Sequence, residues 1–136
     1  MSREHRGTAV LIDDHADTLK AISEVLRSEF EILAASGNSE AAFDIVLAFH
    51  PDIAVLDIAM PSKDGFEVAR KMRERGLQTQ IIFLTAVEDE DYASAARDMG
   101  ASYVVKRRMN KDLVRAAREA IEGKLFSSPV SPPHPR

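Results

Sequence analysis

The chain contains no cysteine and no tryptophan. Disulfides and thiolate metal sites are therefore excluded, and a cysteine-free composition fits a cytoplasmic setting. Long apolar runs are missing too: none approaches the roughly 20 residues needed to cross a bilayer, so no membrane partner is expected. The opening Ser-Arg-Glu-His-Arg has no signal-peptide apolar region. Positive charge is in deficit, with 18 Lys and Arg against 22 Asp and Glu for a net −4, which argues against nucleic-acid binding by this chain itself. The six glycines form no Gly-x-Gly or P-loop pattern, disfavouring nucleotide binding. His5, His50 and His134 are scattered without ligand spacing.

What remains is 136 residues with 45% apolar and 29% charged side chains, the make-up of one soluble globular domain with an ordinary core. Its centre is Ile53–Gly65. Four apolar residues, Ile53 to Leu56, lead directly into Asp57, as in a parallel strand buried on both faces. Met60-Pro61 then turns the chain, and Asp64-Gly65 precedes a helical pattern.

The same alternation runs through the chain. Thr8–Ile12 predicts a first strand, ending in Asp13-Asp14, and Leu19, Ile22, Val25 and Leu26 predict a helix over about 16–28. Glu31–Ala35 reads as an edge strand. Gly37-Asn38-Ser39 opens a second helix that Pro51 closes. Phe66, Ala69 and Met72 mark a third helix, Ile81–Leu84 a fourth strand before Thr85, and Tyr92 to Met99 a thinly apolar fourth helix entered by the acidic loop Glu88–Asp91. Tyr103–Val105 is a fifth strand ending in Lys106, and Leu113 to Ile121 a last helix before Gly123. Five βα units imply an α/β fold with helices on both faces of a parallel sheet; with right-handed crossovers the sheet is expected to be doubly wound, and the flavodoxin-like order 2-1-3-4-5 is taken from known folds of this kind. Residues 127–136 hold four of the six prolines and read as a disordered tail or linker start after a domain spanning 1–126.

In such a sheet the strand ends share one edge, which gathers Asp13, Asp14, Asp57, Thr85 and Lys106. Three carboxylates at close range repel one another unless a cation joins them. Hard oxygen donors without thiolate or clustered imidazole suit Mg²⁺. A phosphoryl group fits there, with Asp57 as nucleophile, Lys106 and the metal neutralising oxygens and Thr85 donating a hydrogen bond. Taken singly, an Asp pair is usually a helix cap, Thr85 strand filler and Lys106 a solvated end; all of them on one edge carry the reading. His15, opening a helix alone, reads as a solvated residue rather than a ligand.

These residues resemble the receiver domain of bacterial two-component response regulators over roughly Thr8–Gly123. The resemblance rests on Leu-Ile-Asp-Asp-His at 11–15, Leu-Asp-Ile-Ala-Met-Pro-Ser-Lys-Asp-Gly at 56–65, Leu-Thr-Ala at 84–86 and Gly-Ala-Ser-Tyr-Val-Val-Lys at 100–106. It implies that Asp57 is the phosphoacceptor, served by a sensor histidine kinase or a small phosphodonor. It also implies that Asp14, Asp57 and the Ala59 carbonyl bind Mg²⁺, that Asp13 orients bound water, and that Thr85 and Lys106 hold phosphoryl oxygens. Tyr103 matches the aromatic that swings inward when Thr85 engages the phosphoryl group. Arg107 departs from the proline that often follows the lysine. The last helix and Gly-Lys-Leu-Phe-Ser-Ser-Pro look like receivers that precede a LuxR-type helix-turn-helix. Expected partners are the kinase, an output domain or partner protein, and a second copy in a phosphorylation-dependent dimer; no separate substrate turnover is expected. Two alternatives are a stand-alone receiver acting by protein contact and a Mg²⁺-dependent aspartyl phosphohydrolase. The latter would need Asp-x-Asp on the first strand and a cap insertion, neither of which is present.

Overall fold

A computed structural model describes residues 5–60 and 64–130. Strand β1 (Gly7–Ile12) leads to α1 (Ala16–Leu26) and β2 (Phe30–Ser36), then to a 3₁₀ turn at Ser39–Ala41 and α2 (Ala42–Phe49). There follow β3 (Ile53–Leu56), α3 (Gly65–Glu74), β4 (Gln80–Thr85), α4 (Glu90–Asp98) and β5 (Ser102–Val105). A second 3₁₀ turn, Lys106–Arg108, enters α5 (Met109–Ile121). All strands pair parallel, as the alternation predicts, in the order β2-β1-β3-β4-β5 expected of a flavodoxin-like sheet.

The continuous apolar runs are explained by burial on both faces. Ile53, Val55, Ile82, Leu84 and Val104 meet Ile22, Leu26, Leu113, Ala116 and Ala117 beneath α1 and α5. The alternate residues Ala54, Leu56, Ile81, Phe83, Tyr103 and Val105 meet Val46, Val68, Met72, Ala93 and Ala96 beneath α2, α3 and α4. Side-chain caps begin the helices where short polar residues stand: Asp64 accepts from the Phe66 amide at 2.7 Å and Asp89 from the Asp91 amide at 2.8 Å. At the end of α2, Pro51 bars its neighbour from continuing the right-handed helix. His50 takes the left-handed conformation instead, at φ 46°. Among the described residues no helix is long and apolar enough to cross a membrane.

The expected tail needs correction at its start. Phe126 O accepts from the Tyr103 amide at 2.9 Å, and the Ser128 amide donates to Tyr103 O at 2.7 Å. This is a short parallel pairing on the outer edge of β5. Ser128 is 3% exposed. Its hydroxyl donates to Asp112 Oδ2 at 2.7 Å and accepts from the Val105 amide at 3.2 Å. Proline removes a donor only at Pro129, so the residues before it are free to pair with the open edge that β5 presents. The packed chain therefore runs past 126 to Val130; the rest of the expected tail, 131–136, lies outside the described residues.

Candidate functional site

Three strand ends deliver the acidic side chains and the lysine to one place. The Asp57 amide donates to Ile12 O at 3.2 Å and the Asp13 amide to Ser36 O at 3.1 Å, so both residues sit where the sheet ladder finishes. Asp13 and Asp57 are 1% and 3% exposed, and Thr85 is fully buried at the end of β4. Lys106, the first residue after β5, spans the two carboxylates, with Nζ 2.8 Å from Asp13 Oδ2 and 2.9 Å from Asp57 Oδ2. The loop after Asp57 folds tightly back: the Gly65 amide donates to Ile58 O at 2.9 Å, and a Cβ at position 65 would lie 2.3 Å from the Asp57 carbonyl oxygen. Only glycine fits there. The turn expected at Pro61 lies outside the described residues.

The cleft holds three carboxylates against one ammonium. Burial works against the Lys106 charge, but its hydrogen bonds to Asp13 and Asp57 outweigh that and hold its pKa above the usual lysine value. Lys106 alone leaves the cluster short of positive charge. Asp13 Oδ2 is buried, with Lys106 Nζ at 2.8 Å as its neighbour. Ligand atoms of Asp13, Asp14, His15 and Asp57 lie within 4.8 Å of one another. Three carboxylates converging within such reach, with one ammonium between them, form an oxygen-rich, anionic cluster that fits Mg²⁺. Ala59, whose carbonyl is the expected further ligand, stands two residues after Asp57, its amide donating to Asp57 Oδ1 at 3.2 Å.

His15 is solvent-exposed, as expected, but it stands closer to the acids than its isolated position in the sequence suggested. Its ring is 62% exposed, yet Nδ1 lies 3.0 Å from Asp13 Oδ1 and 3.3 Å from Asp14 Oδ1. Its amide also donates to Asp13 Oδ1 at 2.9 Å, which bends the chain back over the acids. Adjacency to the Asp pair was the available signal.

Beyond the cluster, the loop after β4 joins the site to β5. Thr85 Oγ1 accepts from the Val87 amide at 3.2 Å. The Tyr103 ring is already inward, 1% exposed, with its hydroxyl donating to Val87 O and accepting from the Asp89 amide. Burial raises the pKa of this phenol. Arg107 pairs with both oxygens of Glu88 at 2.8 and 2.9 Å, tying the same loop to the start of α5. No cis peptide bond occurs among the described residues, so the chain passes through Lys106–Arg107 in trans. A groove of about 600 Å³ between α3 and α4, lined by Phe66, Arg70, Arg73 and Met99 among others, contains none of these residues.

Comparison with known proteins bears on the sequence and the fold. Residues 9–119 match the family model of the response regulator receiver domain. The transcriptional regulatory protein DegU of Brevibacillus brevis is 29% identical over 93% of this chain and 55% of that protein. The DNA-binding transcriptional activator EvgA of Escherichia coli is 31% identical over 90% of this chain and 61% of its own length. A LuxR-family two-component response regulator from an Aurantimonas species superposes with a TM-score of 0.83 at 26% identity, covering 90% of both chains. The receiver domain of a NarL-type regulator from Mycobacterium tuberculosis gives 0.82 at 25% identity, covering 90% of this chain and all of that one. The chain spans little more than half the length of the curated relatives it matches.

Proposed function

Because the chain belongs to the response regulator receiver domain family, we propose that Asp57 is its phosphoacceptor and that phosphorylation there sets the output. The observation that supports this most directly is Lys106, bridging Asp57 and Asp13 across the ends of β5, β3 and β1. An Asp57 carboxylate oxygen attacks the phosphorus of a phosphohistidine or of acetyl phosphate. The bond from phosphorus to the imidazole nitrogen or acetyl oxygen breaks, its electron pair leaves with that group, and an acyl phosphate forms. Lys106 then moves its contact from the Asp57 carboxylate to a phosphoryl oxygen, and Thr85 donates its hydroxyl to another. Asp14, Asp57 and the Ala59 carbonyl would hold Mg²⁺, with Asp13 orienting its water; the ion would neutralise negative charge on the transferring group.

The switched surface is that of α4, β5 and α5. Tyr103 and the loop 86–89 connect it to Thr85. A sensor histidine kinase as donor, a cytoplasmic location and a transcriptional output through a further DNA-binding region belong to the same reading. A phosphorylation-dependent homodimer would use this surface. The test is intact-mass spectrometry with acetyl phosphate and Mg²⁺. One acid-labile phosphate is expected on the wild type and none on Asp57→Asn; equal phosphorylation of both would refute the assignment.

A further inference from the structure

Residues Phe126–Val130 lie across the surface that the proposed function makes the output, and they hold it at the residues that sense the site. The strap brackets Tyr103 through both of its main-chain groups, with the Tyr103 amide donating to Phe126 O and Tyr103 O accepting from the Ser128 amide. One residue before Lys106, the Val105 amide donates to Ser128 Oγ. The hydroxyl continues to Asp112 Oδ2 on α5, whose carboxylate also pairs with Arg108 at 2.8 Å. Phe126 packs with the α1–α5 side of the core beneath the Arg115 guanidinium, 5.2 Å from its ring centroid. Val130 packs with the opposite cluster, the one that contains the Tyr103 ring. The strap thus crosses the sheet edge from one face to the other.

From this we infer that the β5 edge is a strand-addition surface whose occupant is the chain's own Phe126–Val130 segment, and that strap attachment and phosphorylation of Asp57 favour each other. β5 is the edge strand, so an outward swing of Tyr103 carries its ring toward the edge along which the strap runs. An attached strap keeps the ring inward, with its hydroxyl on the loop after Thr85. An inward ring leaves the strap its seat. Main-chain pairing supplies the attachment and the alternate side chains Phe126 and Ser128 supply the register. With the edge filled in cis, a partner that adds a strand to β5 must first displace residues 126–128. The inference rests on Asp57 being the phosphoacceptor.

Reciprocity gives the test. In the full chain with Mg²⁺, amide hydrogen exchange is measured with and without beryllofluoride, a phosphoryl mimic. Exchange at the Ser128 amide is expected to slow by about fivefold or more. In return, Ser128→Ala, which loses the hydroxyl bridge, should weaken beryllofluoride binding by a similar factor. Wild-type exchange does not depend on whether that variant folds well. Amides around Asp14, Asp57 and Thr85 that respond while Ser128 stays unchanged would overturn the inference and leave the phosphoacceptor assignment standing. Silence at those loops as well would overturn both.

Discussion

At the scale of single residues, two backbone positions carry requirements that composition does not reveal. Gly65 sits where a Cβ would meet the Asp57 carbonyl oxygen at 2.3 Å and the Ile58 Cα at 2.9 Å. Backbone cannot yield as a flexible side chain does. Gly65→Ala is therefore expected to lower stability by about 2 kcal/mol or more, since overpacking typically costs 1–3, and to slow phosphorylation by displacing Asp57. Urea denaturation and intact-mass kinetics check the two effects. His50 presents the opposite case. At φ 46° it holds a conformation that glycine adopts freely. Its side chain takes no part in the proposed site, so His50→Gly is expected to raise stability by about 0.5–1 kcal/mol with phosphorylation unchanged. A loss of stability in urea would mean that the imidazole makes a contact worth more than the strain.

Among the elements, α4 and the strap differ in how they are fastened. Arg73 on α3 donates to Met99 O and Gly100 O after the C-terminus of α4, and to Thr79 O ahead of β4. It anchors that end of α4, while the other end continues from the loop held by Tyr103 and Arg107. A displacement of α4 on phosphorylation is therefore expected at the end nearer Thr85. The strap depends on Asp112. Burial opposes ionisation of that carboxylate, but hydrogen bonds from Arg108 and Ser128 prevail and hold it below its usual 3.8. Such a group contributes stability above its unfolded pKa and loses it as pH falls through the folded value. Asp112→Asn should therefore be less stable than wild type at pH 6, and the difference in melting temperature should close as pH drops below about 4. A difference that persists unchanged to about pH 2 would show that the charge of Asp112 is not what matters. Ending the chain at Leu125 removes the strap's hydrogen bonds, each worth about 1 kcal/mol. The melting temperature should fall by about 4 °C or more; no change would mean that the β5 edge gains nothing from being covered.

For the whole molecule, the decisive quantity is the charge imbalance in one cleft of an otherwise ordinary α/β domain. Mg²⁺ binding to the folded state alone stabilises it by mass action, about 2.7 kcal/mol at 100 times its Kd. A rise in melting temperature with added Mg²⁺ is expected for the wild type. It should be much reduced in Asp14→Ala, while the metal-free variant melts no lower than the wild type because one repelling carboxylate is gone. A metal-free Asp14→Ala protein that melts several degrees lower would make Asp14 a structural residue.

The sequence by itself determined the alternation of strands and helices, the parallel sheet and the placing of Asp13, Asp14, Asp57, Thr85 and Lys106 on one edge; the strand order was taken from known folds of this kind. Those features follow from burial on both faces and from the direction of parallel strands, which periodicity and strand-end residues report locally. Only the tertiary structure decided that Lys106 spans Asp13 and Asp57, that His15 bends back onto the acids, and that Tyr103 lies inward on the loop after Thr85. Each depends on distances between segments far apart in the chain. The strap was hidden for a related reason. Its one proline and two serines look unstructured because they bury little on their own; Phe126, Ser128 and Val130 pack because β5 ends the sheet and leaves its hydrogen-bonding groups open beside Asp112.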